Sequence, residues 1–115
     1  MRNKDSQRTA FTNGQLALRD ILEELGFITE LEIEFSPYTL DIFCRNNWIA
    51  CEFDGPTHWK KKDKKRDDYM LNKYGIPTLR IKSLAPKEKV KQEIIDFMWE
   101  WNDSMKERKA KMWEI

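Results

Sequence analysis

The sequence predicts an α/β domain: a mixed sheet with helices packed on it, in the order α-β-β-β-α-β-α. Three observations predict it. Leu18, Ile21, Leu22 and Leu25 recur at helical spacing near the start. Three alternating runs follow between Phe27 and Asp54, separated by short polar turns. A charged helical segment then divides the third run from a fourth, Thr78 to Ser83, so those two strands are expected to lie parallel. At 115 residues the chain has room for one domain around one core.

Taken in order, residues 1–11 are polar and expected to be loose. Thr12 caps the first helix, and Gln15, three residues on, completes a capping box; Gly26 ends it. "FITELEIEF" alternates, with Phe27, Thr29, Leu31, Ile33 and Phe35 on one side and Glu30, Glu32 and Glu34 on the other, as on a strand near a sheet edge. "SPY" turns the chain into "TLDIFC", and Asn46-Asn47 turns it again into "WIACEFD", because asparagine tolerates the positive φ that two-residue hairpin loops need. "GPTHW" is a loop, "KKDKKRDDYMLNKY" a helix closed by Gly75 and Pro77, and "TLRIKS" the fourth strand. From Pro86 onward one long helix is predicted, burying Val90, Ile94, Phe97, Met98, Trp101 and Met105; its end, "KERKAKMWEI", is amphipathic and free to fray, cover a groove or meet a partner.

Composition narrows the function. Hydrophobic residues make up 40% and charged residues 36%, and five Trp, six Phe and three Tyr supply apolar area enough to exclude disorder. No apolar run approaches membrane-spanning length, and the first ten residues hold no hydrophobic segment, so no membrane and no signal peptide are expected. The expected compartment is the cytoplasm, of a bacterium or a phage-infected host. One His and two Cys cannot build a four-ligand structural zinc site, and Cys44 and Cys51 fall at apolar strand positions, as buried free thiols do. The net charge of +1 is uninformative, but its distribution is not: "WKKKDKKR" gathers Lys60, Lys61, Lys62, Lys64, Lys65 and Arg66 around Asp63. Alone, such a run reads as a solvated helix face.

The hairpin register gives that run a context. With Asn46-Asn47 as the turn, Arg45 pairs with Trp48, Asp41 with Glu52 and Thr39 with Asp54. Asp41, Glu52 and Asp54 then share one face, while Leu40, Ile42, Cys44, Ile49, Cys51 and Phe53 share the other. Facing carboxylates repel. Either a salt-bridge network through Arg80 or Lys82 offsets them, or a divalent cation does; magnesium takes one or two carboxylates with water and substrate phosphate. Gly55 and Pro56 then bend the chain and set His58, the only histidine, just past Asp54. A cationic helix beside a metal–carboxylate site suits a phosphodiester: lysines hold the backbone, and the metal activates water and neutralises phosphate charge.

The ordered motifs "YTLDIFCRNNWIACEFDGPTH", Asp63-Lys64-Lys65-Arg66 and "YGIPTLRIKS" resemble the Vsr-like branch of the PD-(D/E)XK nuclease superfamily, with its small EDxHD endonucleases, homing enzymes among them. They are also similar to the RAP domain, an RNA-associated module that shares "DGPxH". The resemblance spans about Thr12 to Ser83. It implies a restriction-endonuclease-like core and a Mg2+ (or Mn2+)-dependent endonuclease that nicks DNA. Asp41 matches the family's strand ligand, Glu52 and Asp54 the acids of the next strand, His58 its histidine and Asp63 its last acid; Arg66 would orient an acid or touch phosphate. Catalytic roles are thus implied for Asp41, Glu52, Asp54, His58 and Asp63, metal ligation for the first three, and backbone contacts for Lys60, Lys61, Lys62, Lys64 and Arg66.

Two departures stand out. Asp54 occupies the place of the superfamily's E-x-K lysine, with Lys60 and His58 nearest to replace it. Gln15 occupies the place of the family's helix glutamate, with Asp20 and Glu23 on the same helix. The runner-up reading is therefore a RAP-like module that binds RNA without cleaving it. The expected partner is nucleic acid, DNA ahead of RNA, and the aromatic tail from Trp101 to Trp113 offers a surface for a homodimer or a larger complex.

Overall fold

The computed structural model describes residues 12–55 and 60–114, apart from the side chains of residues 60, 61, 113 and 114. The expectations for residues 1–11, for the "PTHW" part of the loop and for Trp113 lie outside the described residues. Four strands form one sheet in the order β1 (Glu30–Phe35), β2 (Tyr38–Cys44), β3 (Ile49–Phe53) and β4 (Thr78–Ile81). The first three run antiparallel in sequence, and β4 lies parallel to β3 across the intervening helix, as expected. The helices are α1 (Asn13–Glu24), α2 (Lys60–Tyr74), α3 (Lys87–Asn102) and α4 (Met105–Lys109), followed by a 3-10 turn at Ala110–Glu114.

The sheet carries apolar side chains on both faces, so it is covered on both. On one face Leu18, Ile21 and Leu22 of α1 and Val90 and Ile94 of α3 meet Ile42, Cys44, Ile49, Cys51 and Ile81. On the other, Met70 and Tyr74 of α2 and Ile76 meet Phe35, Leu40, Phe43, Trp48 and Ala50. Both cysteines are free and buried. Cys51 is raised well above an ordinary thiol pKa, first by its hydrogen bond with Cys44 and then by burial, which leaves it an inert thiol. Gly14 sits inside α1 because the Phe53 ring fills the space a Cβ would take.

The hairpin register holds, with Ile42 opposite Cys51 and Phe43 opposite Ala50, but its turn does not. The loop is four residues long, Arg45 to Trp48, and Trp48, not an asparagine, takes the positive φ of 56°. The N–H of Trp48 returns to the Cys44 carbonyl at 2.8 Å. A left-handed residue with a side chain costs roughly 1–2 kcal/mol. Burial of the indole against Phe35 and Phe43, with its N–H donating to the Tyr74 carbonyl at 2.9 Å, offsets that cost.

The face assignment also needs correction at one level of the sheet. Glu32 has φ 55°, and the β1–β2 pairing skips from Leu31–Ile42 to Ile33–Leu40. A regular strand would put residues 31 and 33 on one face, and likewise 40 and 42. Here Leu31 and Ile42 bury with α1 and α3, whereas Ile33 and Leu40 bury with α2. The two strands turn over together, with no residue inserted, at Glu32 and Asp41.

The predicted single C-terminal helix is broken. α3 ends at Asn102, and Arg108 of α4 folds back, 6% exposed, to donate to the carbonyls of Trp48, Gly75 and Trp101. These three bonds outweigh continuation of the helix. Gly75 has φ 72°, and any Cβ there would run into the Arg108 carbonyl. Gly75→Ala should therefore lower stability by more than the roughly 1–2 kcal/mol of left-handed strain alone, checked by the shift of the urea midpoint.

Candidate functional site

The strand ends nearest Asp54 gather the charged side chains. Because the β1–β2 ladder opens at Asp41, its N–H is available and donates to Glu52 Oε2 at 3.1 Å. Glu52 is 4% exposed, and its pKa is pushed up to about 7, first by burial and then by the charge of Asp41. Asp41 is raised as well, by burial and then by Glu32. This is a carboxylate pair short of positive charge.

One guanidinium already stands against it. Arg66 of α2 donates to both Glu52 oxygens, at 2.8 and 3.3 Å, and to the Thr39 carbonyl at 2.7 Å, with the Tyr38 ring below it. Arg66 thus faces inward, not toward a solvent-side backbone. Gln15 is buried too. Its backbone N–H bonds the Thr12 hydroxyl as a cap should, but its side chain does not close the capping box. It donates instead to Glu32 at 3.4 Å and to the Asp41 carbonyl at 3.3 Å, which fixes α1 to the carboxylate pair.

Asp54 lies next to Glu52 around one guanidinium nitrogen of Arg80, 2.9 Å from Asp54 and 3.9 Å from Glu52. β3 ends at Phe53, the Asp54 N–H pairs with Ile81 of β4, and the carboxylate binds Arg80 at 2.9 Å and Lys82 at 3.5 Å. Salt bridges thus reach Asp54 through Arg80 and Lys82 and Glu52 through Arg66 and Arg80, while Glu52 also accepts from the Asp41 N–H. Arg80 lies beside Glu52 in the parallel register and is the hub of this second cluster. It contacts Asp67 through two bonds at 2.8 and 2.9 Å, Asp63 at 3.4 Å and Glu52 at 3.9 Å. Burial works against its charge, but Asp67, Asp54 and Glu52 prevail and raise its pKa. Asp63 is 8% exposed within this cluster, apart from any contact with Asp41 that the structure records.

Of the basic run, Lys62 and Lys65 are exposed, and Lys64 pairs with Asp68 at 3.0 Å. The Lys60 and Lys61 side chains and all of His58 lie outside the described residues. Sequence reasoning missed Glu32 and Asp67. The signal for Glu32 was the Ser36-Pro37 turn, whose register sets it opposite Asp41; the signal for Asp67 was its place one helical turn after Asp63.

Among the described residues, no group of three or more His, Cys, Asp or Glu side chains is arranged to hold a metal ion. The Asp41–Glu52 pair still fits magnesium or manganese in donor type and number, since such ions take one or two carboxylates and keep several waters. Its raised pKa values are the mark of charge left uncompensated.

The architecture is that of an α/β domain whose mixed four-stranded sheet carries helices on both faces and acids at the strand ends. The same fold is seen in the catalytic domain of the homing endonuclease I-Bth0305I, to which this chain is similar with a TM-score of 0.61 and 21% identity, over 78% of this chain and 97% of that one. No family model matches the chain, and no curated protein matches it. Among the described residues no helix is long and apolar enough to cross a membrane.

Proposed function

We propose that this chain is a Vsr-like, EDxHD-type endonuclease that hydrolyses phosphodiester bonds in DNA with Mg2+ or Mn2+. The observation that carries the reading is the Asp41–Glu52 pair, Glu52 buried and Asp41 half-buried, under-compensated in charge, beside the lysine-bearing start of α2. The fold shared with a homing endonuclease catalytic domain supports it. Asp41 and Glu52 would hold the ion, which when bound supplies charge neutralisation at phosphate and activation of water. Lys62 and Lys64 hold the backbone, with Lys60 and Lys61 on the same turn. Asp54, Asp63 and Asp67 fix Arg80 at the rim of the site. His58 is assigned the proton-transfer role its position after Asp54 suggests.

A second reading, a RAP-like RNA-binding module that does not cleave, draws on two observations: guanidinium groups sit on Glu52 and Asp54, and Gln15 cannot act as a charged ligand. One experiment separates the two. Mn2+ is titrated into the wild type and Asp41→Ala, and both are assayed for plasmid nicking. Binding and nicking that both vanish in the variant establish the endonuclease. Absence of metal binding in the wild type, with RNA binding retained in Asp41→Ala, establishes the module.

A further inference from the structure

A cavity of ≈280 Å³ opens between the end of β4 and the first turn of α3, bordered by Arg80, Lys82, Ser83, Lys89 and Glu93. Arg80 and Lys82 also border a ≈400 Å³ cavity on the α2 side, next to Lys64. The two cavities therefore adjoin across these side chains, both of which pair with Asp54.

Three cations face one acid in the smaller cavity, and they differ in how firmly they are held. Arg80 is fixed by Asp54 and Asp67. Lys82 is half exposed and touches Asp54 at 3.5 Å, the long end of an ion pair, so it can turn outward. Lys89 has no ion-pair partner among the described residues. The first turn of α3 borders the same cavity, and Pro86 gives it no side-chain cap, so the positive end of a 16-residue helix adds to the field. Glu93 repels an anion from the far side, which confines the favourable region to the Lys82–Lys89 side.

We propose that this groove seats a backbone phosphate of the nucleic-acid strand, across Arg80 and Lys82 from the Lys64 cavity. The assignment rests on the nuclease reading and extends it to the path of the substrate. The strand runs from Lys64 past Arg80, which touches Glu52, and out between Lys82 and Lys89. Each of the two lysines bears on the same phosphate.

The test uses the full chain and a fluorescently labelled DNA duplex, with anisotropy read without divalent metal at several salt concentrations. Wild type is compared with the Lys82→Ala, Lys89→Ala double variant and with Lys73→Ala, an exposed lysine at the other end of α2. The double variant is expected to bind about tenfold more weakly and to lose about 1 from the slope of log K against log salt, the share of one phosphate. Lys73→Ala should match wild type, and Mn2+ binding should be unchanged in all three. Equal affinity and slope in wild type and double variant would overturn the groove while leaving the carboxylate site standing. If inorganic phosphate binds in a Lys89-dependent way but the duplex does not, the groove is a free-anion pocket and the backbone assignment falls. A wild type that retains metal but binds neither duplex nor phosphate overturns it as well.

Discussion

Glu52→Gln is expected to abolish metal-dependent nicking and to flatten the pH dependence of the metal-free protein's stability. The two effects share one cause. Unfolded, Glu52 releases its proton near 4.5; folded, near 7, because of burial and then the Asp41 charge. Between those values the folded state holds a proton that the unfolded state has lost, so stability falls as pH rises through the window. At about 1.4 kcal/mol per pH unit the full loss is of order 3 kcal/mol. Asp41, also raised, acts with the same sign. Glutamine keeps the shape and still accepts from Arg66, but it does not titrate. Urea midpoints in chelator, from about pH 4.5 to 8, are expected to fall for wild type and to fall clearly less for the variant, in which Asp41 alone still titrates. Parallel curves would mean that Arg66 keeps Glu52 ionised throughout, and the charge-deficient pair would then not exist. For the same reason Mn2+ affinity of the wild type should rise with pH up to about 7, since the ion needs the deprotonated carboxylates. The loss of nicking in the variant is expected to be on the order of a thousandfold, the scale of losing charge stabilisation at a reacting centre.

What was legible in the sequence follows the range of the forces involved. The register of β2 and β3 could be read because alternation and a short turn fix it locally, and the pairing of Asp41 with Glu52 came with it. The place of Arg80 beside Glu52 was legible as a salt-bridge alternative, because a parallel β4 brings it there. Three features were not. Trp48 takes a left-handed conformation only because Phe35, Phe43 and Tyr74, distant in sequence, hold its ring. The turnover of β1 and β2 at Glu32 depends on two helix layers competing for neighbouring apolar residues. Alternation grouped Asp54 with Glu52, and both meet Arg80; what it could not show is that Asp54 lies past the end of its strand, where β4 takes its backbone. In each case tertiary packing overrides a correct local pattern.

Arg108 is the plainest example, and its removal should have the largest effect on stability. In sequence it is one cation in a charged tail. In the fold it is buried with no carboxylate partner among the described residues, its pKa lowered by that burial, and three backbone carbonyls and the Ser104 hydroxyl take up its donors. Trp48 closes the hairpin loop just before β3, Gly75 follows α2 and Trp101 lies in the last turn of α3, so one side chain ties the hairpin to two helix C-termini. Arg108→Ala leaves three carbonyls without this donor and opens a void, a loss of about 3–5 kcal/mol by the usual cost of orphaned buried groups and cavities. Arg108→Lys should recover little, because an ammonium cannot span the same fork of acceptors. Trp48 lies at the end of β3 opposite Asp54, so the clasp and the carboxylate pair occupy opposite ends of the strand. The expected result is a large drop in thermal midpoint for both variants, with Mn2+ binding at low temperature close to wild type. A lysine variant as stable as wild type would show that charge at the helix ends, not the geometry of the guanidinium, holds the C-terminal segment in place.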